Sequence, residues 1–404
     1  MVQNNCQKIA VFGEWNTTNL GDRAILEGVI DFFRDTGWAI ETYGLGSLTP
    51  IYHPSILKND QTKLGKYQFY SDANTPLISN SNLTNWVHHP FQKYWKRFIR
   101  AFRQQIRIRL LMPQLSQAQA ILVGGGALLS DWNLHFPQSL AEISWAAKQL
   151  HLPVFCLGCS AEEEWSPQGR KIIQDFVQSC QFVATRDQKT ANRLSDLLST
   201  RVGVFGDFAL RIHPTKSYLV DYKQISHCKQ TLAVNVMKLS EHRKNLQQSY
   251  EDQLVNLVNA YLNQENIDSN VTIFTTGSTE DIKPAQQVFT RINTTRKLLI
   301  TPTNLEDLYE VFRSSHLVLA SRLHSAILAI SEGLPVVGVA PGSKIQQFFE
   351  PINLKEFSVD ILQPQAVSQI ISLLNGYHLY QQKELIDLFE IERNRKQVKA
   401  LLTR

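Results

Sequence analysis

The amino-acid sequence predicts an α/β protein in which two Rossmann-like domains face each other across a cleft. Its 404 residues exceed what one hydrophobic core usually organises and fit two domains of roughly 150–200 residues each. Along both halves of the chain, short and continuously apolar segments alternate with segments of helical periodicity. Continuous apolar runs are typical of parallel strands that helices cover on both faces. Each half therefore predicts one parallel sheet with its own helices.

The N-terminal domain is predicted to span residues 1–225. Apolar segments predict its strands at residues 8–13, 38–43, 120–123, 154–157, 182–185 and 202–205. Helical periodicity predicts the helices between them, at residues 23–34, 91–111, 138–150, 167–179 and 189–198. The segment 47–85 is rich in Asn, Ser, Thr and Pro, and we expect a long loop there.

The C-terminal domain is predicted to span residues 226–378. Apolar segments predict its strands at residues 232–237, 271–275, 297–300, 317–320 and 336–339. Helices are predicted between them, among others at residues 250–262 and 305–314. A long and highly charged helix within residues 379–404 ends the chain, and we expect it to cross back to the N-terminal domain.

The chain start, the apolar runs and the cysteines limit the class of protein. The first fifteen residues lack the pattern of a signal peptide, and no segment reaches the ~18 consecutive apolar residues of a spanning helix, which predicts a cytoplasmic location. Five scattered cysteines argue against a secreted disulfide framework. Cys156 and Cys159 have redox-motif spacing, but they end an apolar strand and are predicted to be buried thiols. Four-ligand zinc spacing is absent, so no structural metal is expected. No cofactor is expected either, and the sequence leaves open whether a divalent metal assists.

Residues 317–349 carry the most informative chemistry. One apolar strand leads into Ser321-Arg322-Leu323-His324 and a helix, and a second leads through a glycine turn to Lys344 and another helix. The carboxyl ends of parallel strands meet at one edge of a sheet, where open α/β sheets bind their ligands. Arg322 offers a fork of donors to a carboxylate or phosphate, Lys344 opens a helix, and His324 can donate a proton near neutral pH. The stretch predicts a small anionic ligand and acid chemistry performed on it.

Two strand ends of the N-terminal domain carry further candidates. The first strand leads into a loop and a helix that has Asn19 and Asp22 near its start. Asp22 either caps that helix, or one of the two residues has a role near the substrate. Arg186 follows the strand at 182–185 and either points into the cleft or is a surface arginine.

A third strand end carries a run of glycines. Gly124, Gly125 and Gly126 follow the strand at 120–123 and form either a nest of N–H groups for an anion or a tight turn. Asp131 follows a few residues later and is predicted to face the cleft.

These motifs, taken in order, resemble the polysaccharide pyruvyl transferase family. The resemblance rests on Asn-Leu-Gly-Asp-x-Ala-Ile-Leu at 19–26, on Gly-Gly-Gly-Ala-Leu-Leu-x-Asp at 124–131, and on Ser-Arg-Leu-His with Gly-Leu-Pro-Val-Val-Gly and Lys344 downstream. Arg186-Asp187 and Gly206-Asp207-Phe208-Ala209-Leu210 lie where the family has similar residues. Arg23 replaces the usual acidic residue, and the loop after residue 157 lacks the family's Gly-Pro, which leaves the acceptor open.

The resemblance implies a fold of the glycosyltransferase-B type and a pyruvyl transferase activity. Such an enzyme transfers the enolpyruvyl unit of phosphoenolpyruvate to hydroxyls of a cell-surface polysaccharide or its precursor, usually as a cyclic ketal, and releases phosphate. The resemblance places phosphoenolpyruvate against Arg186, Arg322, Leu323 and His324, and we assign the donated proton to His324. Two alternatives remain: a glycosyltransferase that uses a nucleotide sugar in the same cleft, and a protein that binds an anionic metabolite without catalysis.

A basic amphipathic helix is predicted at residues 91–111. Aromatic and aliphatic residues recur in it at helical spacing, and no Asp or Glu occurs from residue 73 to 130. The helix either packs by its aromatic face, or docks peripherally on anionic lipid near a lipid-linked sugar acceptor. A nucleic-acid partner is not expected, because the cations lie on one helix without a recognised binding motif. These cations are Lys93, Lys96, Arg97, Arg100, Arg103, Arg107 and Arg109.

Overall fold

The structure is a computed structural model of the chain and describes residues 7–15, 17–48, 50, 106–131, 135–162, 164–210, 230–264, 269–376 and 386–402. Most of the loop expected at 47–85 and of the basic helix predicted at 91–111 lies outside these residues. The segment that joins the two sheets, residues 211–229, also lies outside them.

The first sheet consists of parallel strands in the order β2-β1-β3-β4-β5-β6. These strands are β1 (Gln7–Gly13), β2 (Trp38–Gly44), β3 (Ala120–Gly124), β4 (Val154–Cys159), β5 (Phe182–Thr185) and β6 (Gly203–Val204). Because the chain reverses its direction of travel between β1 and β3, the loops after these two strands part and leave a crevice at the carboxyl edge. The candidates near residues 19–22 and 124–126 follow these two strands.

The second sheet repeats this design with strands in the order β11-β10-β7-β8-β9, again all parallel. They are β7 (Gln230–Asn235), β8 (Ser269–Phe274), β9 (Lys297–Ile300), β10 (Leu317–Ala320) and β11 (Val336–Gly338). Its reversal point lies between β7 and β10, and the Ser-Arg-Leu-His motif directly follows β10.

Helices cover both faces of the sheets. In β1, Ile9 and Val11 belong to one core cluster, while Ala10 and Phe12 belong to a second cluster on the opposite face. The helices of the N-terminal domain are α1 (Leu20–Phe33), α2 (106–115), α3 (His135–Leu150), α4 (Pro167–Ser179) and α5 (Gln188–Leu198). The remaining helices are α6 (Gln247–Leu262), α7 (Ile282–Arg291), α8 (Leu305–Arg313), α9 (Leu323–Ser331), α10 (Lys344–Phe349), α11 (Ala366–Asn375) and α12 (Ile386–Leu402).

The carboxyl edges of the two sheets face each other and touch at the start of α1. The backbone N–H of Leu20 donates a hydrogen bond to the carbonyl oxygen of Thr276, at 2.8 Å. Gly277 has φ +86°, and a Cβ at this residue would lie 2.7 Å from Cγ of Leu20. A glycine in the left-handed region therefore permits the close approach of the two domains.

The last helix, α12, packs against the N-terminal domain. Nδ2 of Asn394 donates a hydrogen bond to the carbonyl oxygen of Val204 at 2.8 Å. At the other end of the helix, Nε1 of Trp38 donates one to the carbonyl oxygen of Leu402 at 3.2 Å. The chain thus returns to the first sheet after it has completed the second.

The described end of the predicted basic helix packs on its neighbour α3. In α2, Nε of Arg107 lies 3.1 Å from Oε2 of the buried Glu142, and Nη2 donates to the hydroxyl of Ser139 at 2.9 Å. This cation is therefore paired inside the N-terminal domain. Over the described part of the chain, no helix is long and apolar enough to cross a membrane.

Candidate active site

His324 lies in the first turn of α9, directly after the carboxyl end of β10. Its ring packs across the domain interface onto the first turn of α1, where a Cβ added to Gly21 would lie 2.2 Å from Nδ1 of His324. Only a glycine admits the ring at this place. The fold therefore brings the Arg-Leu-His motif of one domain against the Asn-Leu-Gly-Asp motif of the other.

Asp207 is the closest carboxylate to this histidine. It is fully buried, and its Oδ2 lies 3.7 Å from Nε2 of His324 and 3.5 Å from Nη1 of Arg186. Burial alone would raise the pKa of Asp207, but His324, Arg186 and the N–H of Ala209 outweigh it and lower the pKa to about 2. Both Oδ2 of Asp207 and Nε2 of His324 are buried without a hydrogen-bond partner among the described residues. The pair has a capacity for hydrogen bonds that the described residues do not fill.

Asp22 lies one residue beyond Gly21, in the first turn of α1. Its Oδ2 accepts a hydrogen bond from the hydroxyl of Thr17 at 2.7 Å. Burial raises the pKa of Asp22 above its usual 3.8 and Asp207 adds to this, against the opposing effects of His324 and of the Thr17 hydroxyl. Burial and the charge of Asp22 also raise the pKa of Glu14, which follows β1. Asp22 thus resists ionisation beside His324, and Glu14 resists ionisation beside Asp22.

Arg186 and Lys344 line a cavity of about 770 Å³ between the domains, together with Asp207 and Leu323. Arg186 follows β5, and its Nη2 donates a hydrogen bond to the hydroxyl of Ser160 at 2.6 Å. Lys344 opens α10 from the opposite domain. The structure thus brings to one cavity three of the residues that the sequence predicts for the substrate, Arg186, Leu323 and Lys344.

The cations of the site repel one another. Enclosure in the cleft and the guanidinium groups of Arg186 and Arg322 lower the pKa of Lys344 below its usual 10.5, while Glu162 opposes this change. Like charges held this close are unfavourable without a counter-ion. A ligand with several negative charges would relieve the repulsion.

Arg322 has a different setting from the other cations, because it forms a forked pair with a buried carboxylate. Its Nε donates to Oδ2 of Asp281 at 2.5 Å, and its Nη2 donates to Oδ1 at 2.6 Å. The backbone N–H of Arg322 donates to Oδ1 of Asn235 at 2.8 Å, so the start of α9 is fixed to β7. Much of the donor fork that the sequence predicts for an anion is therefore used within the C-terminal domain.

Asn19 and the glycine loop have local partners. Oδ1 of Asn19 accepts a hydrogen bond from the N–H of Gly21, so Asn19, and not Asp22, is the N-cap of α1. Gly125 and Gly126 have φ +77° and +74°, and a Cβ on Gly125 would lie 2.1 Å from Cγ2 of Ile25 in α1. The close packing of this turn on α1 accounts for a glycine at residue 125. Gly124, the last residue of β3, is buried.

Asp131 lies at the carboxyl edge of the first sheet and is bound to the start of α4. Its Oδ2 accepts hydrogen bonds from the backbone N–H and the hydroxyl of Ser166, the N-cap of that helix, at 2.7 and 2.6 Å. Asp131 is 8% exposed. Its contacts are those of a residue that anchors a helix start.

Sequence reasoning missed two carboxylates of the site. Asp207 enters the resemblance only as part of a Gly-Asp-Phe-Ala-Leu segment, yet it is the residue that faces His324. Asp281 carries no sequence signal, because it lies in a single 3₁₀ turn, Thr279–Asp281, between β8 and α7. Its role becomes visible only when the fold brings that turn to Arg322.

The site contains no group of side chains that fits a metal. Among the described residues, no cluster of three or more His, Cys, Asp or Glu side chains could hold an ion. Cys156 and Cys159 are free thiols, buried in β4. A hydrogen bond with Cys156, together with burial, holds the pKa of the Cys159 thiol well above its ordinary value, which keeps it an inert thiol.

The fold and the site define a two-domain enzyme of the glycosyltransferase-B type, with its candidate active site between the domains. Residues 19–343 match the model of the polysaccharide pyruvyl transferase family. This match covers most of the chain, so the protein belongs to the polysaccharide pyruvyl transferase family and is a transferase of polysaccharide biosynthesis.

Solved structures confirm the fold class. The UDP-GlcNAc 2-epimerase of Neisseria meningitidis, bound to UDP-GlcNAc, is 14% identical with a TM-score of 0.56; the match covers 98% of this chain and 100% of that one. An α,α-trehalose-phosphate synthase of Burkholderia vietnamiensis is 11% identical with a TM-score of 0.53, over 97% and 94% of the two chains. At these identities the similarity concerns the fold alone. A search of curated protein sequences found no match to this chain.

Proposed function

We propose that the protein transfers the enolpyruvyl unit of phosphoenolpyruvate to hydroxyl groups of a glycan or a lipid-linked sugar precursor, forms a pyruvate ketal and releases phosphate. The observation that carries this proposal is the convergence of Arg186, Lys344 and Asp207 on one interdomain cavity, with Nε2 of His324 3.7 Å behind Oδ2 of Asp207. Phosphoenolpyruvate has a carboxylate and a phosphate, which require cations. Its methylene carbon requires a proton donor before a hydroxyl can add.

The cations support a donor with more than one negative charge. Arg186 and Lys344 approach the cavity from opposite domains. Burial, and after it the charges of Arg186 and Arg322, lower the pKa of Lys344, and a phosphate bound between the cations would favour the charged form of the lysine. Arg322 contributes through Nη1, which takes no part in its forked pair with Asp281 among the described residues. Leu323 is the first residue of α9, and its backbone N–H therefore lies at a helix start, where the negative charge of a ligand is favoured.

His324 is the proposed acid. An ionised Asp207 stabilises a positive charge on the imidazole by Coulomb attraction. The imidazolium donates its proton to the methylene carbon of phosphoenolpyruvate, which becomes a methyl group. The neighbouring carbon becomes electrophilic, and a sugar hydroxyl forms a C–O bond to it and loses its proton.

The second half of the reaction removes phosphate. The bond between the central carbon and the phosphate oxygen breaks, and a second hydroxyl of the same sugar forms the second C–O bond of the ketal. Two hydroxyl protons are released, of which one restores the imidazolium and one is taken up by phosphate or solvent. Asp22 lies beside His324 and is proposed to accept one of these two protons from the hydroxyl and to pass it on.

The first test is a calorimetric titration with phosphoenolpyruvate. We expect the parent protein to bind it and Lys344→Met to bind it between about 10-fold and 100-fold more weakly, because a charge-assisted contact is lost. Lys171→Met is the matched control, since Lys171 is 77% exposed on α4 and pairs with Asp175 away from the cleft. Equal affinity of the parent and Lys344→Met would contradict the proposed role of the cavity.

A titration with UDP separates this proposal from a nucleotide-sugar transferase. The fold neighbours include a structure bound to UDP-GlcNAc, which makes that class the relevant competitor. Binding of UDP by a protein that does not bind phosphoenolpyruvate would favour it. Release of one phosphate for each ketal formed on a sugar with two neighbouring hydroxyls would establish the pyruvyl transfer itself.

A further inference from the structure

The last helix of the chain holds the backbone of the loop that carries Asp207. In α12, Nη1 of Arg395 donates a hydrogen bond to the carbonyl oxygen of Leu210 at 2.8 Å, and Nη2 donates to the carbonyl oxygen of Asp207 itself. The two carbonyl groups lie at the ends of a turn, since the N–H of Leu210 also donates to the carbonyl oxygen of Asp207. The guanidinium group of Arg395 therefore bridges the two ends of this turn.

Neighbouring residues of α12 hold the same loop. A Cβ on Gly206, which has φ +84°, would lie 2.9 Å from Cγ2 of Ile391, so the helix lies directly on the backbone before Asp207. The guanidinium of Arg395 also lies 5.4 Å from the ring centre of Phe205. These contacts recur at helical spacing and form one continuous face.

Arg395 occupies a costly position for a charge. Burial lowers its pKa to about 10, and within the described residues no carboxylate oxygen lies within 4 Å of its guanidinium group. Its hydrogen bonds to the described residues go to backbone carbonyl groups, and the charges of Glu392 and Asp207 offset the effect of burial only in part. An apolar side chain would cover the loop at a lower desolvation cost, so the fork of donors has a purpose beyond packing.

We propose that Arg395 is a positioning residue for the Asp207–His324 pair, acting through the two backbone carbonyl groups that flank the loop. Asp207 can face His324 at 3.7 Å only while its loop stays in place. Arg395 lies beyond residue 343, where the match to the family ends, so the family match does not assign it a role. The inference rests on the proposed function for its effect on turnover, while the clamp itself is a property of the free protein.

The clamp is tested without substrate by hydrogen exchange. The N–H groups of Ala209 and Leu210 donate to the side chain and the carbonyl of Asp207, so their exchange reports on the loop. We expect Arg395→Met to accelerate exchange of these amides by about 10-fold or more, and Arg395→Lys, which keeps the charge and loses the fork, to have a smaller effect. Unchanged exchange in a folded Arg395→Met protein would overturn the proposal.

Lys399→Met is the matched control for that experiment. Lys399 lies one turn further along α12 and contacts the ring of Phe32 at 5.1 Å. That ring packs on Phe205 and Phe208, so Lys399 reaches the Asp207 loop through side-chain packing, whereas Arg395 reaches it through hydrogen bonds to the backbone. We expect its removal to leave exchange of the loop amides unchanged. Equal acceleration in Lys399→Met and Arg395→Met would mean that α12 acts only by packing, and would overturn the specific role of Arg395.

A double-mutant cycle tests the effect on turnover. We expect Arg395→Met to lower kcat by about 100-fold with donor affinity changed less than about 3-fold, because a small displacement of a reacting group costs that much. In an Asp207→Asn background the same substitution should lower kcat less than about 3-fold. An equal loss in both backgrounds would overturn a role through Asp207. Accelerated exchange without pyruvyl transfer by the parent protein would refute the proposed function and leave the clamp intact.

Discussion

Two buried aspartates, one in each domain, face arginines at the cleft, and their surroundings differ. Asp281 of the C-terminal domain accepts two short hydrogen bonds from Arg322, at 2.5 and 2.6 Å. Asp207 of the N-terminal domain accepts a backbone hydrogen bond at Oδ1, while Arg186 and His324 lie 3.5 and 3.7 Å from its Oδ2. Both carboxylate oxygens of Asp281 thus accept a hydrogen bond from Arg322, whereas Oδ2 of Asp207 accepts none from the described residues.

This difference indicates that one pair stabilises the structure and that the other is suited to proton transfer. A buried pair whose hydrogen bonds are mostly made is rigid and has little left to offer a ligand, here Nη1 of Arg322. A buried carboxylate and imidazole with unfilled hydrogen bonds retain the capacity to bind and to exchange protons. We therefore assign the support of α9 to the Arg322–Asp281 pair and the proton chemistry to the Asp207–His324 pair.

The largest effect that this comparison predicts is on turnover of a His324→Gln variant. We expect kcat to fall by about 10²–10⁴-fold, because glutamine cannot donate the proton, while phosphoenolpyruvate binding is largely kept. Phosphate release and calorimetry measure the two effects separately. His242→Gln is the control, since His242 is exposed on the 3₁₀ helix Glu241–Leu246. Full activity of His324→Gln would show that His324 is not the proton donor.

The residues that support the site were harder to predict from the sequence than the strands of the fold. Each predicted strand overlaps an observed one, because continuous apolar runs identify buried parallel strands without knowledge of their neighbours. Arg186 and His324 were predicted from their places at strand ends, since the carboxyl edge of a parallel sheet is common to all its strands.

Partners across the fold escape such reasoning. Asp281 meets Arg322 from 41 residues away, and Arg395 meets the Asp207 backbone from 188 residues away. No local periodicity encodes these contacts, because they depend on how separate elements pack. The sequence left a cap at Asp22 as one of two alternatives. In the structure Asn19, three residues earlier, caps the helix, and the Asp22 carboxylate lies near His324.

A second prediction concerns the Arg322–Asp281 pair. We expect Arg322→Ala to lower the free energy of unfolding by about 3–5 kcal/mol, because it leaves the fully buried Asp281 without its cation. Urea unfolding measures the loss. The double variant Arg322→Ala, Asp281→Asn should recover a large part of it, since no unpaired charge remains. If Arg322→Ala lowers the free energy of unfolding by less than about 1 kcal/mol, the Arg322–Asp281 pair does not support the fold.

A third prediction uses the pKa of Asp207. The pKa of Asp207 is lowered from 3.8 to about 2, so its ionised form stabilises the fold above pH 4. We expect Asp207→Asn to lose about 2 kcal/mol at pH 5 relative to the parent, and the difference to shrink as the pH falls from 4 to 2. Asp175→Asn, at a 60% exposed residue of α4, should show no such trend. A difference that is independent of pH would show that Asp207 is held by packing alone.

The smallest predicted effect has the opposite sign. Because burial raises the pKa of Asp22, the fold loses stability as the pH rises above 3.8, and the loss is complete once the pH exceeds the raised pKa. We expect Asp22→Asn to stabilise the fold near neutral pH by on the order of 1 kcal/mol, since asparagine can still accept the Thr17 hydrogen bond without a charge.

The same Asp22→Asn variant should be a poorer enzyme, because asparagine cannot accept a hydroxyl proton. Thermal unfolding at pH 4 and pH 7.5, beside phosphate release, measures both effects. A variant that is stabilised at pH 7.5 and slower in turnover would mean that the cleft retains an unfavourable carboxylate for catalysis. A variant that is destabilised at both pH values would instead show that Asp22 stabilises the fold. The proton chemistry would then be left to Asp207 and His324.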